Sequence, residues 1–331
     1  MKTLKVILKQ HTPLIHFQHD QYGATLRASE VKPKLDKFIL ERLGNGNYED
    51  GVRLANEKQW LVGKGEHPAL DYKMRIIVGD EIDEMKLRTI SRNDGKFTTE
   101  LFPLLLANMG KRSRQDELVN FTMYQMNNLQ LSTMCKSLYE ILKTDIPYFF
   151  AVSNFGQRSG KGFGSYTVSS IDDVKIFSLG FHPYYIPKKT LYMEFNIETS
   201  NSLKLQKCIF GVVEAFWKGL KKYFKNKSKR TDFVRIYLGK IIDGIEIQRI
   251  PSPLVFKPIV IENNRLRKIK IFIYPNKGLI DSFPNKESII CGINNLIDSY
   301  IDDIMDPDTG IWNITLPTYK SIDVEFYDHI E

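Results

Sequence analysis

Near the start of the chain, apolar and β-branched residues are interleaved with lysines (LKVILKQHTPLIHF, residues 4–17), which predicts a strand bent near Pro13. A polar loop, QHDQYGATLRA, follows, and then the period changes. Val31, Leu35, Phe38 and Ile39 recur at helical spacing. Ser29 is the predicted N-cap of this helix, Pro33 falls in its first turn, and Gly44 and Gly46 stop it. Residues 73–79 (KMRIIVG) and 85–90 (MKLRTI) read as strands. A helical stretch, in one or two pieces, is predicted from about residue 116 to residue 143, with Pro147 ending it. A glycine-rich loop comes next, and SYTVSS leaves it as a strand.

The second half repeats this order. LYMEFNIE (191–198) alternates as a strand. Residues 205–225 form an amphipathic helix with Ile209, Val212, Val213, Phe216 and Leu220 inward. RTDFVRIYLG either extends that helix or forms a strand, and the pattern leaves both readings open. PLVFKPIVIE and RKIKIFIYP are strands on either side of a basic turn, ENNRLRK; residues 289–304 are a helix, and SIDVEF is a closing strand. Each half thus reads strand, helix, strand, strand, helix, strand. That order predicts an α+β fold of two tandem ferredoxin-like (βαββαβ, RRM-like) domains, with antiparallel sheets and helical insertions. The domains are read as residues 1–175 and 186–331, joined near 175–190.

Charge adds to this picture once it is located. The net charge is +8, but residues 1–201 carry 27 basic and 23 acidic side chains, residues 202–277 carry 18 and 5, and residues 278–331 carry 2 and 11. A basic zone of that density suits a polyanionic partner, because neutralising phosphates releases counterions. It equally suits a solvated face. No apolar run reaches the roughly 18 residues needed to cross a bilayer, and the N-terminal MKTLKVILKQ lacks the features of a signal peptide. Cys135, Cys208 and Cys291 lie far apart in apolar helical patterns, which predicts buried, inert thiols and excludes a C-x-x-C pair. A cytoplasmic protein is the simplest expectation.

The segment richest in chemistry is NFGQRSGKGFGSYTV, residues 154–168. Gly156 to Gly160 is one residue short of a P-loop, and Lys161 is followed by Gly162 where Ser or Thr is required. Gly160, Gly162 and Gly164 give G-x-G-x-G, not the dinucleotide fingerprint. The loop also runs from helix into strand, so no helix N-terminus is available to receive a phosphate. The positive reading uses glycines to let main chain approach a bulky ligand and to aim successive N–H groups into one concavity. Arg158 and Lys161 then supply charge, and Phe163 either stacks a base or plugs the core. The alternative is a flexible turn with solvated charges.

Helix, then F-G-x-R-S-x-x-G-F-G-S (Phe155 to Ser165), then a closing strand resembles the signature of RAMP proteins, the ferredoxin-like RNA-binding subunits of CRISPR–Cas systems. LKQHTPLIHFQ followed by TLRASEVKPKLDKFI is similar to the family's first strand, turn and helix. The whole order, and PSPLVFKPIVI in the second half, is most similar to the two-domain RAMP subunit of type III-B (Cmr) effector complexes. Gln157 and Gly160 depart from the family loop, and the segment 44–72 is longer and more polar than the family pattern. The resemblance implies that Gly156, Arg158, Ser159, Lys161, Gly162 and Gly164 lie against RNA or a neighbouring subunit, and that Arg27, Lys32 and Lys34 face guide or target RNA. It also implies other RAMP subunits as partners and no nuclease activity; from the residues, no cofactor and no metal are expected.

Metal-independent RNA cleavage needs a general base for the 2′-hydroxyl. His16 or His19, with Lys34 or Lys37 stabilising charge, are the candidates for such an endoribonuclease, and a purely structural assembly subunit is the third reading. His11, His16 and His19 make a weak metal site, with only Asp20 beside them. WKGLKKYFKNKSKR, residues 217–230, carries seven cations and no acid; Lys222, Lys225, Lys227 and Lys229 are candidate phosphate contacts. DSYIDDIMDPDTG, residues 298–310, lacks the calcium-loop order and reads as an acidic helix end.

Overall fold

The computed structural model describes residues 1–15, 25–63, 68–79, 81–91, 97–99, 118–124, 127–176, 190–227, 240–243, 246–249, 254–263, 266–275 and 323–327. Its first elements are β1 (Lys2–Gln10), α1 (Ala28–Leu43), α2 (Tyr48–Glu57), β2 (Leu61–Val62), β3 (Ala69–Leu70), β4 (Lys73–Ile77), β5 (Glu81–Ser91), β6 (Phe97–Thr99), β7 (Leu118–Tyr124), β8 (Asn127–Thr133), α3 (Lys136–Val152), β9 (Tyr166–Ile171) and β10 (Val174–Lys175). The later elements are β11 (Thr190–Glu198), α4 (Ser202–Lys227), β12 (Lys240–Asp243), β13 (Glu246–Arg249), β14 (Leu254–Asn263), β15 (Leu266–Pro275) and β16 (Asp323–Tyr327). Two compact units result: Met1–Glu84 with Asn120–Gln157 and Phe163–Tyr185, and Met85–Val119 with Arg158–Gly162 and Ile186–Glu331.

In the first unit, β1 pairs antiparallel with both β8 and β9, and the sheet runs β10-β9-β1-β8-β4. Taken as β1, α1, β4, β8, α3, β9, the chain is strand, helix, strand, strand, helix, strand, with the fourth strand beside the first. Leu4, Val6 and Leu8 of β1 and Leu129 and Leu131 of β8 point to the helical side. There they meet Val31, Leu35, Ile39 and Leu40 of α1 and Leu138, Leu142, Ile146, Phe149 and Phe150 of α3 in one core. The antiparallel alternation of buried and open positions follows the period of two of each strand.

The helix boundaries differ from the sequence reading. The N-cap of α1 is Arg27, not Ser29: the N–H groups of Glu30 and Val31 both donate to the Arg27 carbonyl, at 3.0 Å each. Pro33 is therefore the sixth helical residue, with its ring on the exposed side. The helix predicted over 116–143 is instead β7, β8 and the start of α3. NNLQLST alternates buried and half-buried at every second residue, a strand period that the surrounding apolar density hides. Pro147 does not end α3 but lies inside it. Interior proline costs about 3 kcal/mol; burying Phe149 and Phe150 just beyond it offsets that, each contributing about 2–3 kcal/mol.

In the second unit, β14-β15-β11-β16 form an antiparallel sheet. With α4 between β11 and β14, its first and fourth strands are again neighbours, and the third lies between first and second. Ile209, Val212, Val213 and Phe216 of α4 are buried as predicted, and Phe216 meets Phe256 of β14 edge-on at 5.8 Å. Pro258 sits in β14, the edge strand, where a missing N–H breaks no ladder bond on its open side. Smaller sheets are β6-β5-β7, β2-β3 and β12-β13. Cys208 is buried in α4, whereas Cys135 is the half-buried N-cap of α3, its Sγ 3.2 Å from Ser137 Oγ, which corrects its placement within a helix. The helix predicted over 289–304, with Cys291, lies outside the described residues, as does 228–239. Among the described residues no helix is long and apolar enough to cross a membrane.

Candidate functional site

The glycine loop runs from the end of α3 to β9, as the sequence predicts. Its base is stitched to the segment after β1. Gln157 N–H donates to the Ile15 carbonyl (2.7 Å), Gly164 N–H to the Pro13 carbonyl (2.8 Å) and Ser165 N–H to Thr12 Oγ1 (2.9 Å). Phe155 N–H donates across the loop to the Gly164 carbonyl (3.0 Å), beside an Asn154–Ser165 bridge. Gly156 N–H donates to the Glu30 carboxylate on α1 at 2.7 Å. These N–H groups point into the protein, so the anion-binding concavity drawn from the sequence does not form from them.

Close approach is what the glycines provide, and what approaches is the chain itself. Gly164 has φ +63°, and a Cβ there would lie 2.0 Å from the Phe155 carbonyl oxygen. At Gly156, φ +74°, it would lie 2.5 Å from the Ile15 carbonyl oxygen. Both conformations disfavour any side chain, and both spaces are filled by backbone. Phe163 is fully buried, so of its two readings the core plug is the one realised.

The tip, Arg158–Gly162, belongs to the second unit. Ser159–Lys161 make one 3₁₀ turn, closed by Lys161 N–H to the Arg158 carbonyl (2.7 Å) and Gly162 N–H to the Ser159 carbonyl (3.1 Å). Arg158, at φ +56°, and Gly162, at φ +90°, flank it in left-handed conformation. A Cβ at Gly162 would meet Pro258 Cγ at 2.8 Å. The Lys161 ammonium lies 5.7 Å from the centre of the Phe256 ring, within cation–π reach. Arg158, Ser159 and Lys161 are half-buried, and burial pulls the Arg158 guanidinium below its ordinary value.

The start of α1 divides into three cases. Arg27 is exposed. Lys34 pairs with Glu30 (2.9 Å), reaches the Asn154 carbonyl (3.4 Å) and lies 5.0 Å from the Phe155 ring centre. Lys32 donates to Asp36 (2.9 Å) and the Leu70 carbonyl (3.0 Å), with its ammonium 3.9 Å from the Tyr72 ring centre. Its charge thus braces the packing of α1 on β3. The sequence reading missed Glu30, which braces both Lys34 and Gly156; its i,i+4 spacing to Lys34 was the only local signal.

His11 is buried, with Nε2 2.7 Å from Thr167 Oγ1, while His16 and His19 lie outside the described residues. Lys222, Lys225 and Lys227 fall on the last turns of α4, where the helix alone is described, and Lys229 lies beyond it. Among the described residues no group of three His, Cys, Asp or Glu side chains is arranged to hold a metal ion.

Residues 1–223 match the family model of the Cmr1 N-terminal domain. No curated protein matches the chain in sequence. Among solved structures, the chain is similar to apo Cmr1 from Pyrococcus furiosus, with 11% identity, TM-score 0.43, and 83% of this chain and 89% of that one covered. A chain in a type III-B Cmr-beta structure bound to cognate target RNA and AMPPnP in the presence of ssDNA is similar at 12% identity and TM-score 0.45, with 90% and 99% covered.

Proposed function

The chain belongs to the Cmr1 N-terminal domain family, a RAMP family of type III-B (Cmr) CRISPR effector complexes, and from that premise we propose that it is a non-catalytic subunit that binds guide RNA, target RNA or both in antiviral defence. The proposal includes a cytoplasmic setting, other RAMP subunits as neighbours, and tandem ferredoxin-like domains over residues 1–175 and 186–331. The observation that carries it is the loop tip. Two cations and a hydroxyl, Arg158, Lys161 and Ser159, ride on a 3₁₀ turn whose flanking residues are held in left-handed conformation. A bend fixed by backbone bonds displays these side chains without ordering them anew on binding, which lowers the cost of association. Gripping phosphate through such groups requires neither a general acid nor a general base.

The test is titration of labelled guide and target RNA with the purified chain in EDTA across salt. Replacing Arg158 and Lys161 with Ala should lessen the slope of log K against log salt by about 1.4, at about 0.7 per phosphate contact on a single strand. An unchanged slope removes the tip from the interface. Absence of binding, alone and in complex, leaves a structural assembly subunit. A discrete cut that His16→Ala or His19→Ala abolishes would overturn the non-catalytic reading.

A further inference from the structure

The side of the first sheet away from its helices has a composition of its own. Where Leu4, Val6 and Leu8 face the core, the alternate positions of β1 are Thr3, Lys5, Ile7 and Lys9. Register carries that face across the sheet. Lys5 stands opposite Gln130 of β8, which stands opposite Arg75 of β4. Thr3, Ser132 and Lys73 make the next row, and Ile77, Asn128, Ile7, Ser170 and Lys175 make the row on the other side. Lys5, Lys73, Arg75 and Lys175 are all exposed, and none has an ion pair among the described residues. None of these named register positions carries a carboxylate. Asp172, in the turn between β9 and β10, lies beside Lys5: its Oδ1 accepts from the Lys5 main-chain N–H (3.0 Å) and its own N–H donates to the Lys5 carbonyl (2.8 Å), while its Oδ2 accepts from the Tyr139 hydroxyl of α3 (3.0 Å) and lies 3.9 Å from the Lys143 ammonium.

We propose that this open sheet face is a second surface for single-stranded RNA, distinct from the glycine loop and independent of base sequence. The charge is of one sign, and the positions between the cations are hydroxyls and amides that suit phosphate and sugar oxygens. Lys73 and Arg75 stand about 7 Å apart along β4, and Arg75 and Lys5 about 10 Å apart across two strands. Such spacing tracks an extended backbone over several nucleotides. Among the described residues at these register positions none is aromatic, and the apolar ones are Ile7 and Ile77, so affinity comes from the polyanion and not from base identity.

This inference rests on the RNA-binding reading above, and its test separates the two. The full chain is titrated with oligouridylate and with a mixed-sequence RNA of the same length, alongside a variant carrying Lys5→Gln, Lys73→Gln, Arg75→Gln and Lys175→Gln. All four side chains are exposed, so the thermal midpoint should hold; if it does not, the pair Lys5→Gln and Arg75→Gln is used. The expected result is a salt slope lessened by up to about 2.8 for both RNAs alike, additive with the loss from Arg158 and Lys161. Crosslinks from 4-thiouridine RNA should map to residues 2–10 and 73–77. Wild-type binding with an unchanged variant slope overturns this face alone. No wild-type binding to either RNA overturns the functional reading and this inference with it. Equal loss of binding to polyglutamate would show a surface for acidic protein and overturn the RNA assignment.

Discussion

Replacing Gly164 with Ala tests the claim that the loop glycines serve the fold. At φ +63° an alanine costs about 1–2 kcal/mol through its Cβ alone. The added carbon would lie 2.0 Å from the Phe155 carbonyl oxygen, so the two segments must part by more than about 1 Å to restore ordinary contact. That separation acts on the bonds from Phe155 N–H to Gly164 O (3.0 Å) and from Gly164 N–H to Pro13 O (2.8 Å), each contributing about 1 kcal/mol. It also shifts Phe155, whose ring packs on Phe149, Phe150 and Tyr166 with centroids 5.4–6.1 Å away. The first two contributions alone total about 3–4 kcal/mol. Gly46 is the control: its φ is +95° but nothing lies within 4 Å of its absent Cβ, so Gly46→Ala should cost only about 1–2 kcal/mol. Urea unfolding, with hydrogen exchange of the Phe155 amide, measures both. Equal destabilisation by the two substitutions would refute the account, as would a Gly164→Ala protein that keeps its stability and loses only RNA affinity.

Glu30→Ala removes the acceptor of the Gly156 N–H and should cost about 1–3 kcal/mol, whereas Lys34→Ala, at a side chain 44% exposed, should cost under about 1 kcal/mol; exchange protection at Gly156 reports both. Arg42→Ala strands Asp145, buried and paired at 2.8 Å, at a cost of about 2–3 kcal/mol that Asp145→Asn should partly recover in denaturation. Burial raises the Asp145 carboxyl above its ordinary 3.8 even against Arg42, so the folded state holds this proton more tightly and stability falls as pH rises from 3.8 to the raised value. Asp145→Asn should remove that slope from a pH series of unfolding midpoints. Burial holds the fully buried Lys257 well below its usual 10.5. Stability therefore rises with pH between the lowered value and 10.5, and Lys257→Met should flatten this rise and raise the midpoint at pH 7.

Much of the architecture was legible because strands and helices of the two halves differ in period. β1, β9, β11, β14, β15 and the inward face of α4 stand where alternation or helical spacing places them. The failures share a cause: local pattern competed with burial that only the tertiary fold supplies. Residues 127–133 alternate cleanly, but lie between apolar residues dense enough to suggest continued helix. Pro147 is a strong stop in isolation and a tolerated one beside Phe149 and Phe150. At the loop, spacing located the glycines and cations, but the main-chain partners of its base are over a hundred residues away. No local signal couples Gly164 to Pro13 or Gln157 to Ile15, nor Lys32 to Leu70, 38 residues on.

That distance changes what the glycine motif means. A loop whose Gly156 and Gly164 are filled by the backbone of Ile15 and Phe155 is a device for crossing main chain closely over main chain. The motif can thus identify the family without itself touching nucleic acid. On the function proposed above, recognition falls to the side chains Arg158, Ser159 and Lys161, and to surfaces that carry no motif at all. The open sheet face is proposed as such a surface: its cations come from β1, β4 and β10, strands far apart in sequence that only register brings together. Substitutions at the glycines should therefore be read first as changes in folding. Substitutions at the exposed cations Lys5, Lys73, Arg75 and Lys175 should leave the fold intact and move the salt dependence of binding.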